Sequence, residues 1–136
     1  MASKTLTMLL MEAPYESANT VTAFRIIGAA LEKGVDVNVF AYEGAVSLTI
    51  KDQQPHANPV KGTTVEQEDH PTTKNLVAGL LKLAAEKGRK LDWVACGLCV
   101  DERGAGNWIE GVRRGGPPDF YKAVQASTNT LVIPTK

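Results

Sequence analysis

A chain of 136 residues is long enough to bury one core of ordinary domain size, and its 43% hydrophobic and 22% charged residues strike the balance of a globular protein. Fifteen basic residues meet fifteen acidic ones, so no charge excess recruits nucleic acid or an anionic membrane. No apolar run approaches the about 18 residues of a membrane helix and no secretory signal is visible, so the two cysteines read as reduced thiols of a cytoplasmic protein.

Residues 5–11 (TLTMLLM) form an apolar run of strand length without alternation, the pattern of a strand covered on both faces in a parallel sheet. Pro14 punctuates the following loop, and Ser17 or Asn19 is placed to cap a helix. Val21, Phe24, Ile27, Gly28 and Leu31 share one face of that helix, and Gly34 stops it. Residues 35–40 are alternating and β-branched, a second strand, which completes a right-handed βαβ unit. Residues 45–50 read equally as a short helix or a strand.

The composition then changes. Residues 51–73 are polar and carry Pro55, Pro59 and Pro71, which predicts an exposed, partly mobile loop. Thr72 or Thr73 is expected to cap the next helix, whose apolar face is Leu76, Val77, Leu80, Leu81, Leu83 and Ala84 and whose stop is Gly88. Residues 91–96 form a third strand that runs into a turn at Gly97, with a helix expected from Leu98 or Cys99. Asn107 is read as the cap of a helix holding Trp108, Ile109 and Val112, which residues 115–118 (GGPP) break. Asp119 is expected to cap a helix over 120–126, before a terminal strand at 130–133. The basic pairs Arg89-Lys90 and Arg113-Arg114 lack interleaved aromatics and read as solvated helix ends or loops. The order of elements predicts a single α/β domain over 1–136, a three-layer α/β/α sandwich with a mainly parallel sheet of four or five strands.

In such sheets ligands gather outside the carboxyl ends of the strands. Both cysteines of the chain, Cys96 and Cys99, sit at the end of the third strand, where the free N–H groups of a helix start favour an anion such as a thiolate. Gly97 lets backbone approach closely and is expected to leave the Cys96 sulfur accessible. Arg103 falls on the same side of the helix and adds positive charge, which Asp101 and Glu102 oppose. Tyr15 and Tyr42 stand at the exits of the first and second strands, on the same rim. His56, His70 and the cysteines match no zinc pattern, and the histidines read as solvated. No G-x-G-x-x-G, G-x-S-x-G or H-E-x-x-H occurs, so no cofactor is implied. The aromatic residues Phe24, Trp93 and Trp108 read as core or interface. A CxxC thiol pair, a dithiol enzyme and a binding module using the strand-end rim all remain open at this point.

Three stretches resemble the DsrE/DsrF-like family of sulfur-relay proteins. Glu12-Ala13-Pro14-Tyr15 is similar to a Gly-Pro-Ala-Tyr turn of the family, with glutamate in place of glycine. Phe40-Ala41-Tyr42-Glu43-Gly44 resembles the aromatic-and-glycine exit of its second strand. Arg103 and Gly104 follow Cys96 at the distance of the arginine-glycine pair that follows the active cysteine of relay members. The resemblance implies a carrier in which Cys96 accepts sulfane sulfur as a persulfide and passes it to a partner cysteine. It implies Cys99 as a resolving or modulating thiol, with Gly97, Arg103, Tyr15 and Tyr42 contacting the substrate. Its partners would be sulfur donor and acceptor proteins or small sulfane-sulfur compounds, and its assembly a homo-oligomer or a hetero-oligomer with paralogues. Cys99 departs from the relay members, which lack a cysteine there; family members of unassigned function carry C-G-x-C.

Overall fold

Five short segments pair into one all-parallel sheet in the computed structural model, which describes residues 4–135. They are β1 (Thr5–Leu10), β2 (Asp36–Ala41), β3 (Leu91–Cys96), β4 (Val112–Gly115) and β5 (Asn129–Ile133), in the order β4-β3-β2-β1-β5. Between them lie α1 (Asn19–Glu32), a 3₁₀ helix (Glu43–Thr49), α2 (Val65–Glu68), α3 (Thr73–Glu86), α4 (Gly97–Arg103) and α5 (Pro117–Ala126). From β1 to β4 the chain steps in one direction across the sheet, so right-handed crossovers put α1 and α3 on one face. The return from β4 to β5 reverses that direction and lays α5 alone on the other. This is the expected sandwich, with five strands and one thin outer layer.

The two faces differ as their residues require. Met8, Leu10, Val37, Val39, Trp93 and Ala95 point under α1 and α3 and form a dry core with Phe24, Ile27, Leu31 and Val77. Each such aliphatic side chain contributes roughly 1.5–3 kcal/mol by leaving water. Under α5 the register aligns Thr7, Asn38 and Asp92, and Asp92 receives two hydrogen bonds from Arg113, each 2.9 Å long. Asn38 Nδ2 donates to Thr7 Oγ1 at 3.3 Å, and Phe40 stacks on Phe120 at 5.6 Å between centroids. These polar partners explain how one sheet face carries an amide and a carboxylate beneath a helix.

Several expectations need correction. Residues 107–112 form no helix: Trp108 bridges Ile50, Gly111 turns the chain at φ 96°, and Val112 enters β4. The open edge of β3 has backbone groups to satisfy, and pairing there outweighs the helical spacing of Trp108, Ile109 and Val112. Arg113 and Arg114 are therefore strand residues pointing to opposite faces, each in an ion pair. Helix α5 begins at Pro117, not after Asp119; the prolines occupy its first turn, where a missing N–H costs nothing, and Asp119 Oδ2 accepts from the Gly116 N–H at 2.8 Å. Val21 is 51% exposed, the buried face of α1 running through Thr20 and Ala23 instead. Neither Ser17 nor Asn19 is the N-cap of α1, a place taken by Ala18, although Ser17 Oγ accepts from the Asn19 N–H at 3.1 Å. The segment 51–73 carries structure of its own, a bridge between Asn58 and Thr63 and the helix α2, which Thr64 and Gln67 cap reciprocally.

Candidate functional site

Helix α4 starts at Gly97, directly on the last residue of β3, so Cys96 is its N-cap and Cys99 lies in its first turn. Seven residues give a short helix with a modest dipole, ended by Gly104 in the left-handed conformation. Both thiols are free and buried, Cys96 3% and Cys99 5% exposed. The expectation of an open Cys96 sulfur is thus not met: Cys96 belongs to the buried core cluster. Leu98 between them is 72% exposed.

The Cys99 sulfur accepts a hydrogen bond from the Glu43 N–H at 3.1 Å, across 56 residues of sequence. Glu43 adopts φ 51°, a left-handed backbone uncommon for a residue with a side chain, and this aims its amide at the sulfur. Its carboxylate accepts from Arg103 Nη2 at 2.8 Å, and Arg103 Nη1 donates to the Cys99 carbonyl at 3.2 Å. Arg103 therefore clamps α4 to the 3₁₀ helix, and its charge is met by Glu43. Burial pushes the Cys99 thiol above the ordinary thiol range; the Glu43 amide pulls the other way, and a hydrogen bond with Cys96 reinforces the rise. Tyr42 stacks on Phe40 at 6.0 Å, and the negative charge of Glu43, then that of Cys99, raises its phenol.

Gly97 leaves room for a neighbour that sequence reasoning did not assign to the site. A Cβ there would lie 2.7 Å from Arg114 Nε, so the guanidinium of the edge strand is seated on the cysteine turn. Arg114 also binds Asp101 with two hydrogen bonds of 2.9 and 2.7 Å. Asp101, and to a lesser degree Cys96, hold Arg114 charged, while Arg114 holds the Asp101 carboxyl below the usual range. The signal for it lay in the Arg113-Arg114 pair, because successive strand residues alternate faces and one of the two had to turn toward α4.

The order of strands reverses between β1 and β5, and a cleft of about 670 Å³ opens there, beyond the strand ends. Glu12, Glu16, Gly44 and Arg103 help to line it, and Glu43 forms a wall shared with the cysteine turn. A Cβ at Gly44 would stand 2.9 Å from that of Ala13, which is why the first two strand exits can close on each other. Of the residues expected on this rim, the fold brings together Cys96, Cys99, Gly97, Arg103 and Tyr42. Tyr15 turns elsewhere: its hydroxyl donates to the Pro71 carbonyl at 3.4 Å and its ring meets His56 and His70. Among the described residues no three His, Cys, Asp or Glu side chains converge as a metal site, and no helix is long and apolar enough to cross a membrane.

Comparison with known proteins adds an independent finding. A family model described as the DsrE/DsrF-like family matches residues 4–133. The uncharacterized protein MK0008 of Methanopyrus kandleri is 30% identical over 93% of this chain and 91% of its own. The uncharacterized protein MJ0989 of Methanocaldococcus jannaschii is likewise 30% identical, over 93% of this chain and 97% of its own. The crystal structure of the ychN protein from E. coli shares the fold at a TM-score of 0.66 and 20% identity, over 96% of this chain and 99% of that one.

Proposed function

This chain belongs to the DsrE/DsrF-like family, and from that premise we propose that it is a sulfur-transfer protein that carries sulfane sulfur on Cys96. The family points to a sulfur-relay type of role; the finer reading is carried by the pair of free thiols at the carboxyl end of β3, with Cys99 held by the Glu43 amide. In the loading step the Cys96 thiolate attacks the outer sulfur of a donor R–S–SH. The S–S bond of the donor breaks, a Cys96–S–SH persulfide forms and R–S⁻ leaves, with no net oxidation. In the delivery step an acceptor thiolate attacks that outer sulfur and Cys96 departs as thiolate. The Cys99 thiol, kept protonated by burial, donates a hydrogen bond to negative sulfur on Cys96, and Arg114 places a positive charge beside the turn.

Burial has consequences for the partners. Sulfur donors and acceptors, proteins or small sulfane compounds, reach Cys96 when the first turn of α4 opens locally, and the exposed Leu98 offers a protein partner an apolar foothold there. Gly97, Arg103 and Tyr42 frame that approach. Free thiols in this arrangement belong in a reducing compartment such as the cytoplasm. The chain acts as one domain, and assembly with copies or paralogues belongs to the same proposal.

A second reading has its own observation. The two free thiols stand three residues apart at one strand end, and Cys96 is close enough to raise the Cys99 thiol, so Cys99 as thiolate can attack the Cys96 sulfur of the persulfide, expel HS⁻ and leave a Cys96–Cys99 disulfide. That would make the protein a dithiol oxidoreductase. Intact-mass spectrometry of reduced protein exposed to glutathione persulfide separates the two. A carrier gains about 32 Da per sulfur, loses that gain in Cys96→Ser and keeps it in Cys99→Ser. Loss of two hydrogens that needs both cysteines overturns the carrier in favour of the dithiol enzyme. No change of mass overturns both.

A further inference from the structure

Away from the cysteines, a second cleft of about 360 Å³ lies between α1, the start of α3 and the segment that precedes it. Val21, Pro71 and Leu76 supply apolar walls, and Tyr15 and His70 supply ring surface. Among the described residues that line it, none is lysine, arginine, aspartate or glutamate. Its hydroxyl groups are nearly all engaged. Ser17 Oγ donates to Glu12 at 2.7 Å, Thr73 Oγ1 donates to the Leu48 carbonyl at 2.9 Å, and Tyr15 donates to Pro71. Thr20 differs: it is 4% exposed, it lines the cleft, and its Oγ1 has no hydrogen-bond partner among the described residues. A buried hydroxyl without a partner is destabilising, a deficit that a bound polar group would relieve.

Tyr15 and His70, which line the cleft, belong to a cluster of rings that His56 completes outside it. Tyr15 lies 5.6 Å from His56 and 5.7 Å from His70, and the two imidazoles are 5.9 Å apart, all between centroids. Tyr15 reaches this cluster through a left-handed backbone, φ 66°, a strain that needs surrounding contacts to hold it and that recurs at ligand clamps. Tyr15 is distant in sequence from the two histidines, which share the segment 51–73, and nothing in the sulfur-transfer proposal uses the three rings. The volume falls within the range of small-molecule pockets and is too confined for a macromolecular face.

We propose that this cleft binds a small, uncharged aromatic molecule with one hydroxyl-type polar group, its ring among Tyr15, His70 and Leu76 and its polar atom on Thr20. Neutrality follows from the lining, which has no acidic or strongly basic side chain to offset the desolvation of an ion. The hydroxyl is matched by Thr20 Oγ1, the buried side-chain polar atom of the lining that has no partner among the described residues. The proposal is independent of the sulfur chemistry and stands or falls without Cys96.

The test is NMR titration of the full chain with phenol and with toluene, which has the same ring and no hydroxyl. Phenol is expected to shift the amides of Thr20, Val21 and Leu76 saturably, and more tightly than toluene. Thr20→Val should weaken phenol about three- to tenfold and leave toluene unchanged, because only the hydrogen bond is lost. Val21→Glu, at an exposed helix position that tolerates the change, should weaken both about tenfold by placing a charge at the apolar wall. Failure of phenol to saturate, or equal effects of Thr20→Val on both probes, overturns the proposal. Shifts of the same amides on raising the protein concentration alone would also overturn it, since a second copy would then be the occupant.

Discussion

Gly97 and Cys99 decide how the cysteine turn behaves. The Arg114 guanidinium occupies the space a Cβ would take at position 97, and it is the far end of a flexible side chain on an edge strand. Gly97→Ala is therefore expected to shift the folding free energy by less than about 1 kcal/mol, because the arginine swings away. It should nevertheless slow sulfur loading several-fold, as the Arg114–Asp101 pair leaves the turn. Thermal melts beside timed mass spectra check this, and wild-type loading in Gly97→Ala would remove Arg114 from the mechanism. Cys99 gives a pH prediction. Its pKa is raised, so it keeps its proton to higher pH than an ordinary cysteine and little thiolate exists near neutrality. Sulfide release from the Cys96 persulfide should be slow at neutral pH and climb about tenfold per pH unit toward the alkaline side. A sulfide electrode reads the rate, and a pH-independent release, or one that survives Cys99→Ser, would dismiss Cys99 as its source.

Among the elements, β4 and α5 carry the most consequence for their size. Gly115 ends β4 where a Cβ would stand 2.4 Å from Val94 Cγ1 and 2.8 Å from Asp119 Oδ2. Val94 is buried in β3, an interior strand, and Asp119 is tied to the Gly116 amide, so neither yields easily. Gly115→Ala should cost about 1–3 kcal/mol, seen as a lower urea midpoint at unchanged slope. An unchanged midpoint would mean that the junction is loose. The same elements show where sequence reasoning faltered. The β1-α1-β2 unit, α3 and β3 were legible because long periodic runs bounded by Gly34 and Gly88 have one consistent reading. The four residues of β4 were not: Trp108, Ile109 and Val112 mimic a helical face, and only the unpaired edge of β3 decides between the two. The start of α5 was misplaced for a simpler reason, that Asp119 caps from inside the first turn and not from its boundary.

At the scale of the whole molecule the sheet is unevenly covered. No residue of α5 is fully buried, and β5 leaves an outer edge on which Val132 is 52% exposed. Unprotected edges of this kind invite pairing with another chain. The proposed assembly with copies of itself should therefore involve β5, and Val132→Glu should shift a sedimentation-velocity profile toward monomer without altering the melt. A wild-type chain that sediments as a monomer at high concentration would refute the assembly outright. The amino-acid sequence by itself determined the alternation of strands and helices, the parallel sheet and the place of the two cysteines at a strand end. Those follow from local periodicity and from glycines that only certain turns accept. The tertiary structure alone decided that the thiols are buried, that the Glu43 amide and Arg114 attend them, and that Tyr15 leaves their rim for His56 and His70. These contacts join residues that are distant along the chain, and no local pattern records which strand edges and loops the folding of the sheet will bring together.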